Sequence, residues 1–127
     1  APASLAAELA AALARKQPLV VMASLEGCPF CRIVRNSHLA PLRAESGLPV
    51  VQLDTASTRT VLDFAGVAST HDKLLRAWGV TTWPTVLFFG AQGKEAADRL
   101  VGASIPDFYG AYLDARLVTA RQRVVAS

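Results

Sequence analysis

The chain holds two cysteines, Cys28 and Cys31, and both fall at the junction between a strand-like and a helix-like stretch. Leu19 to Leu25, just before them, is an apolar run with β-branched and aliphatic residues, the composition of a buried strand. Ile33 to Leu39, just after them, continues as a helix. The spacing therefore places Cys28 at a helix start, where unpaired backbone N–H groups and the positive end of the macrodipole favour a negative charge. A thiolate suits that position, because such placement lowers a cysteine pKa from about 8.5 into a range of roughly 3.5 to 7.5. Pro29 fits the first helical turn, where its missing N–H goes unneeded. Cys31, one turn on, is placed to resolve a bond made by Cys28.

Three chemistries use a pair at this spacing: half a zinc site, a structural disulfide, and a redox couple. Zinc needs two further ligands, and only His38 and His71 are on offer, with no second cysteine pair and no closely spaced histidine pair. A c-type haem is excluded, since Arg32 stands where its attachment motif needs histidine. A structural disulfide across two residues closes a loop too short to stabilise much. Redox chemistry fits the pair best, and it calls for no metal and no cofactor.

The 127 residues suit one domain spanning 1–127, and 52% hydrophobic with 18% charged residues describes a globular chain. The net charge is +3, with basic residues scattered singly and not interleaved with aromatics, which argues against nucleic-acid binding. No stretch approaches the roughly 18 apolar residues of a membrane span. The chain opens Ala1-Pro2-Ala3-Ser4 without methionine, as a mature protein freed of a signal peptide would. A soluble periplasmic monomer is the expectation.

Leu5, Leu9 and Leu13 recur at helical spacing, so residues 4–16 read as a helix capped by Ser4 and ended by Pro18. A strand over 19–25 follows, then the motif helix from Cys28. Pro41 removes a backbone donor inside that helix and should kink or split it near Leu39-Ala40. Gly47 and Pro49 close the segment. Leu48 to Asp54 reads as a second strand, parallel to the first because a helix joins them. Residues 55–70 are an insertion, read as a short hairpin or an ordered loop. Thr70 or Ser69 caps a helix over about Asp72 to Trp78, ended by Gly79. Thr85 to Phe89 is a strand, Gly90 to Gly93 a turn, and Ala96 to Val101 the returning strand. Ser104 caps a last helix with Pro106 in its first turn and Ile105, Tyr109, Tyr112, Leu113 and Leu117 as apolar positions. The order is that of an α/β sandwich.

Three features together resemble the thioredoxin superfamily over about Leu13 to Leu117. They are the strand–Cys28-Pro29-Phe30-Cys31–helix junction, the run Trp78 to Thr85 with Pro84 leading into a strand, and Gly93 and Val101-Gly102 around the last strand. The resemblance implies a thioredoxin fold, a central four-stranded mixed sheet flanked by helices, with the insertion ahead of the proline strand. It implies a cis bond at Pro84, facing the dithiol and leaving the preceding backbone free to pair with a substrate chain. The extra segment between Asp54 and Trp78 is similar to that of bacterial periplasmic members associated with sulfur oxidation and cytochrome maturation. Two departures bear on redox potential. Pro29-Phe30 replaces thioredoxin's Gly-Pro and is closer to glutaredoxins or disulfide-introducing oxidases, and Met22 stands where thioredoxins carry a buried acid.

On this reading Cys28 attacks a partner disulfide and Cys31 resolves the mixed disulfide. Pro84, Trp83, Pro29 and Phe30 position the substrate, with Phe30 exposed, Trp78 in the core, and Trp83 either a docking platform or a core aromatic. Glu26 can accept a proton if drawn out of solvent, although a loop acid is more often solvated. Arg32 and Arg35 read as solvated helix-face residues first and thiolate partners second. His38 lies about 10 Å along the helix from Cys31 and reads as a surface or packed residue, and His71 as a first-turn surface residue. The expected activity is exchange with disulfide-bearing or dithiol protein substrates, reduction before oxidation or isomerisation, with a membrane electron donor as a further partner. A binding module using the fold as a scaffold is the reading from another class.

Overall fold

The computed structural model describes residues 2–102 and 108–127. At the centre is β1 (Leu19–Ser24), in which all six residues are buried, as the unbroken apolar run demands. β2 (Val50–Asp54) runs parallel to β1 on one side, and β5 (Thr85–Phe89) runs antiparallel on the other, followed by β6 (Glu95–Val101), so the mixed sheet has the order β2-β1-β5-β6. Parallel pairing of β1 and β2 requires a crossover, which α2 (Pro29–Ile33), a π-helical turn (Val34–Leu39) and α3 (Ala40–Ser46) supply.

Alternation along the two central strands divides the core. Val20 and Met22 of β1 and Val86 and Phe88 of β5 face one way, packing with Cys31, Val34, Leu39, Leu113 and Leu117. Leu19, Val21 and Ala23 with Leu87 and Phe89 face the other way. There they meet Leu5 and Leu9 of α1 (Leu5–Ala14), Leu74 and Leu75 of α4 (His71–Ala77), and Val61. Helices thus cover both faces of the sheet. Ser4 caps α1 by accepting the Ala7 N–H at 3.1 Å, which ties one orphan donor of the first turn.

Pro41 acts on the crossover helix differently from a break. The helix remains continuous and takes up a wider turn ahead of the proline, with the Ala40 N–H donating to Arg35 O five residues back. The insertion folds as a hairpin, β3 (Thr60–Leu62) with β4 (Ala68–Thr70), and Ser4 bridges alongside Leu62. Phe64, in the hairpin's turn, stacks on Trp78 and packs against Phe89. The turn between β5 and β6 must pass close to that ring. Gly93 takes φ +70°, and a Cβ there would come within 2.9 Å of Phe64. Arg99 of β6 donates to Trp78 O at 2.7 Å, satisfying a carbonyl at the end of α4.

The last helix, α5 (Tyr109–Ala126), buries Tyr109, Leu113 and Leu117 while Tyr112 stays exposed. The expected cap Ser104, with Ile105 and Pro106, lies outside the described residues. Among the described residues no helix is long and apolar enough to cross a membrane.

Candidate functional site

The carboxyl end of β1 delivers the chain into a turn, with the Cys28 N–H donating to Leu25 O and Gly27 at φ +79°. Cys28 is the residue that caps α2, with extended backbone (φ −92°, ψ 109°), and Pro29 follows inside the helix. The Cys31 N–H donates to Cys28 Sγ at 3.2 Å. A sulfur at this position therefore receives one of the helix's unpaired donors directly, which stabilises it as an anion when the pair is reduced. The two cysteines are joined as a disulfide, with Cα atoms 5.3 Å apart. They differ in access: Cys28 is half-buried, and Cys31 is 1% exposed, packed in the core beneath.

Pro84 is buried at the start of β5, and the Trp83–Pro84 peptide is cis. The loop before it is tied by Thr85, whose buried hydroxyl donates to Thr82 O at 2.6 Å, and by the Gly102 N–H donating to Pro84 O at 2.7 Å. Trp83 is half-buried and touches both halves of the core, which favours the core reading of this residue without removing it from the rim. Trp78 packs half-buried on the α4 side. Phe30, 48% exposed, stands beside Pro29 at the helix mouth, with Ile33 and Leu25 also open to solvent.

A cavity of about 490 Å³ opens on the β2 side of the disulfide. Its walls include Cys28, Cys31, Glu26, Arg32, Arg35, Gln52 and Asp54. Glu26 and Arg32 are exposed, as the sequence leads one to expect. Arg35 is not simply solvated: it is half-buried and donates to Gln52 Oε1 at 3.3 Å, while Gln52 Nε2 donates to Asp54 Oδ1 at 2.8 Å. Sequence reasoning passed over Gln52 and Asp54. The signal for them was present, because residues two apart on a strand share a face, so Val50, Gln52 and Asp54 all point toward the cysteine helix.

The two histidines separate. His38 lies half-buried with its ring 5.1 Å from that of Tyr109. His71 does open α4, but the expectation of a surface position is corrected: it is 1% exposed. Its Nδ1 accepts the Asp54 backbone N–H at 3.2 Å, which places the ring's proton on Nε2. Burial pushes the His71 pKa below its ordinary value of 6.5, because the interior disfavours the charged form. Its backbone N–H donates to Arg59 O, just ahead of the hairpin, and its ring sits against the end of β2, a burial that a first-turn helical position by itself could not reveal. Among the described residues no group of three or more His, Cys, Asp or Glu could hold a metal ion.

A family model described as a thioredoxin-like domain matches residues 5–116. No curated protein matches the chain. Among solved structures, Trxlp from Edwardsiella tarda is 23% identical, covering 88% of this chain and 95% of its own, with a TM-score of 0.58. The thioredoxin of Fasciola hepatica is 20% identical over 91% of this chain and 93% of its own, with a TM-score of 0.57. The periplasmic thioredoxin SoxS from Paracoccus pantotrophus, in its reduced form, is 20% identical over 82% and 99%, with a TM-score of 0.50. At these identities the structural likeness speaks for the fold, while the family match spans most of the sequence and includes both cysteines and Pro84. The chain belongs to the thioredoxin-like domain family.

Proposed function

We propose that the protein is a periplasmic thiol–disulfide oxidoreductase acting chiefly as a reductase of partner-protein disulfides. The observation that carries this reading is the unequal pair at the mouth of α2, where the half-buried Cys28 sulfur faces a backbone N–H and the Cys31 sulfur is enclosed behind it. In the reduced form Cys28 attacks a partner disulfide as thiolate, the partner's sulfur–sulfur bond breaks, and one partner thiolate leaves. Cys31 then displaces the second partner sulfur from Cys28, leaving the Cys28–Cys31 disulfide and a partner reduced by two electrons. Phe30 and Pro29 lie between the cysteines and, with Trp83, offer apolar surface to a docking chain, with Pro84 holding that chain in register. A membrane dithiol donor returns the electrons, and the protein works as a monomer without nucleic acid.

The sulfur-oxidation and cytochrome-maturation branch is the assignment supported by the insertion over 55–70, here a hairpin, and by the likeness to a periplasmic thioredoxin. Insulin-disulfide reduction by the wild type and by Cys28→Ser tests the activity. Turnover by the wild type with none by the variant is expected, and equal inactivity would favour a scaffold for binding. Equilibration against glutathione sets the direction: a potential near about −270 mV marks a reductase, and one near about −120 mV an oxidase.

A further inference from the structure

The resolving step sets a problem that the helix mouth does not solve. Cys31 is enclosed, and a thiol in apolar surroundings holds its proton tightly, yet only the thiolate attacks. The strand beneath it offers no ionisable acceptor, for the β1 side chains on that face are Val20, Met22 and Ser24, of which only the buried Ser24 hydroxyl is polar and it is no base. The cavity beside the disulfide does offer one. Asp54 shares its wall with Cys31, on the cysteine-facing side of β2. Its carboxylate is held at that wall by a two-step tether, Gln52 Nε2 to Asp54 Oδ1 and Arg35 Nη1 to Gln52 Oε1, that links the crossover helix to the strand. The polar wall and a volume of about 490 Å³ give room for bridging water.

From this we infer that Asp54 accepts the Cys31 proton during resolution of the mixed disulfide, with Gln52 and Arg35 as its positioning residues. The inference rests on the exchange reading above. The Asp54 carboxylate takes the proton through the cavity. The Cys31 thiolate attacks Cys28 Sγ and the bond from Cys28 to the partner breaks. The partner sulfur leaves with the electron pair, and the proton on Asp54 passes to that sulfur or to solvent. The charged and titratable groups facing Asp54 are Arg32 and Arg35 from the crossover helix and Glu26 from the loop before it. From α4 comes His71, which takes the Asp54 backbone N–H, with Arg59 and Asp72 beside that ring. Glu26 lines the same cavity but is exposed, so the tethered acid on β2 is the one assigned.

The reduced protein mixed with 5,5′-dithiobis(2-nitrobenzoic acid) in stopped flow separates the steps. Attack by Cys28 releases one chromophore in a concentration-dependent phase, and resolution by Cys31 releases a second in a first-order phase. Asp54→Asn is expected to slow the second phase by about a hundredfold near neutral pH, the lower end of what proton transfer by a positioned group contributes. The gap should close at alkaline pH, where the thiol ionises unaided, and Asp54→Glu should recover part of the rate. An unchanged second phase and pH profile in Asp54→Asn would overturn the inference, as would slowing by Glu26→Gln alone. If Asp54→Asn fails to fold, Gln52→Leu replaces it: a slowed second phase supports the assignment and an unchanged one refutes it. A wild type that releases no chromophore in the first phase would instead refute the exchange reading itself.

Discussion

The two faces of the central sheet are built from the same strands and to different ends. On the α1–α4 side, Leu19, Val21, Leu87 and Phe89 meet two amphipathic helices and the hairpin, and the aromatic rings of Phe64, Trp78 and Phe89 close the layer. On the crossover-helix side, Met22, Val86 and Phe88 also pack densely. That layer, however, contains Cys31, a wider helical turn before Pro41, and at its upper edge a polar cavity reaching the disulfide. One face holds the strands in place, and the other places sulfur, arginine and carboxylate around a space. Chemistry therefore belongs to one face and support to the other, which can be broken experimentally.

The largest effect on activity is expected from Cys28→Ser, which removes the sulfur proposed to attack and should take disulfide exchange to background while the circular dichroism of the fold is kept. On the supporting face, Leu75→Ala empties a fully buried site and should destabilise by about 2–5 kcal/mol in urea unfolding. The exchange rate per folded molecule should stay unchanged, and a loss of rate in the folded fraction would blur the division between the faces. Gly93→Ala is expected to destabilise by about 1–3 kcal/mol, because it must hold a positive φ and push against the Phe64 ring.

His71 adds a smaller, pH-dependent effect on the supporting side. The folded chain keeps this imidazole neutral with its pKa depressed, whereas the unfolded chain takes up a proton near the ordinary value of 6.5. The unfolded state thus binds more protons, so stability is kept above about pH 6.5 and falls as the pH drops below it. His71→Gln should flatten that decline in urea titrations run at a series of pH values. An equal decline in the variant would place the titrating group elsewhere. Phe30→Ser, at the exposed helix mouth, should change stability by less than about 0.5 kcal/mol and raise KM for insulin with kcat nearly kept.

What the sequence made legible follows from how local each feature is. The strand–cysteine–helix junction, the Ser4 cap and the parallel β1–β2 pairing each rest on a few adjacent residues, and the structure has all of them. Pro41 announced a disturbance, but whether a helix breaks or widens depends on what the preceding turn packs against, and here Leu39 is buried in the core. Residues 55–70 carry weak alternation because the hairpin is short and leans on Phe64 and on the bridge from Ser4, both set by distant parts of the chain. His71 reads as a surface residue because its burial comes from elements that fold over it. Gln52 and Asp54 look like ordinary strand polarity until the crossover helix brings Arg35 and the cysteines to the same side.

The central claim is that the two sulfurs are unequal, with Cys28 the nucleophile because a helix start faces it. It is tested most directly by alkylating the reduced protein with iodoacetamide across pH and locating the modified residue by mass spectrometry. The account predicts modification at Cys28 alone in the early phase, with a rate inflection well below the value of about 8.5 for a free thiol. Equal modification of Cys28 and Cys31, or an inflection at or above that value, would contradict it.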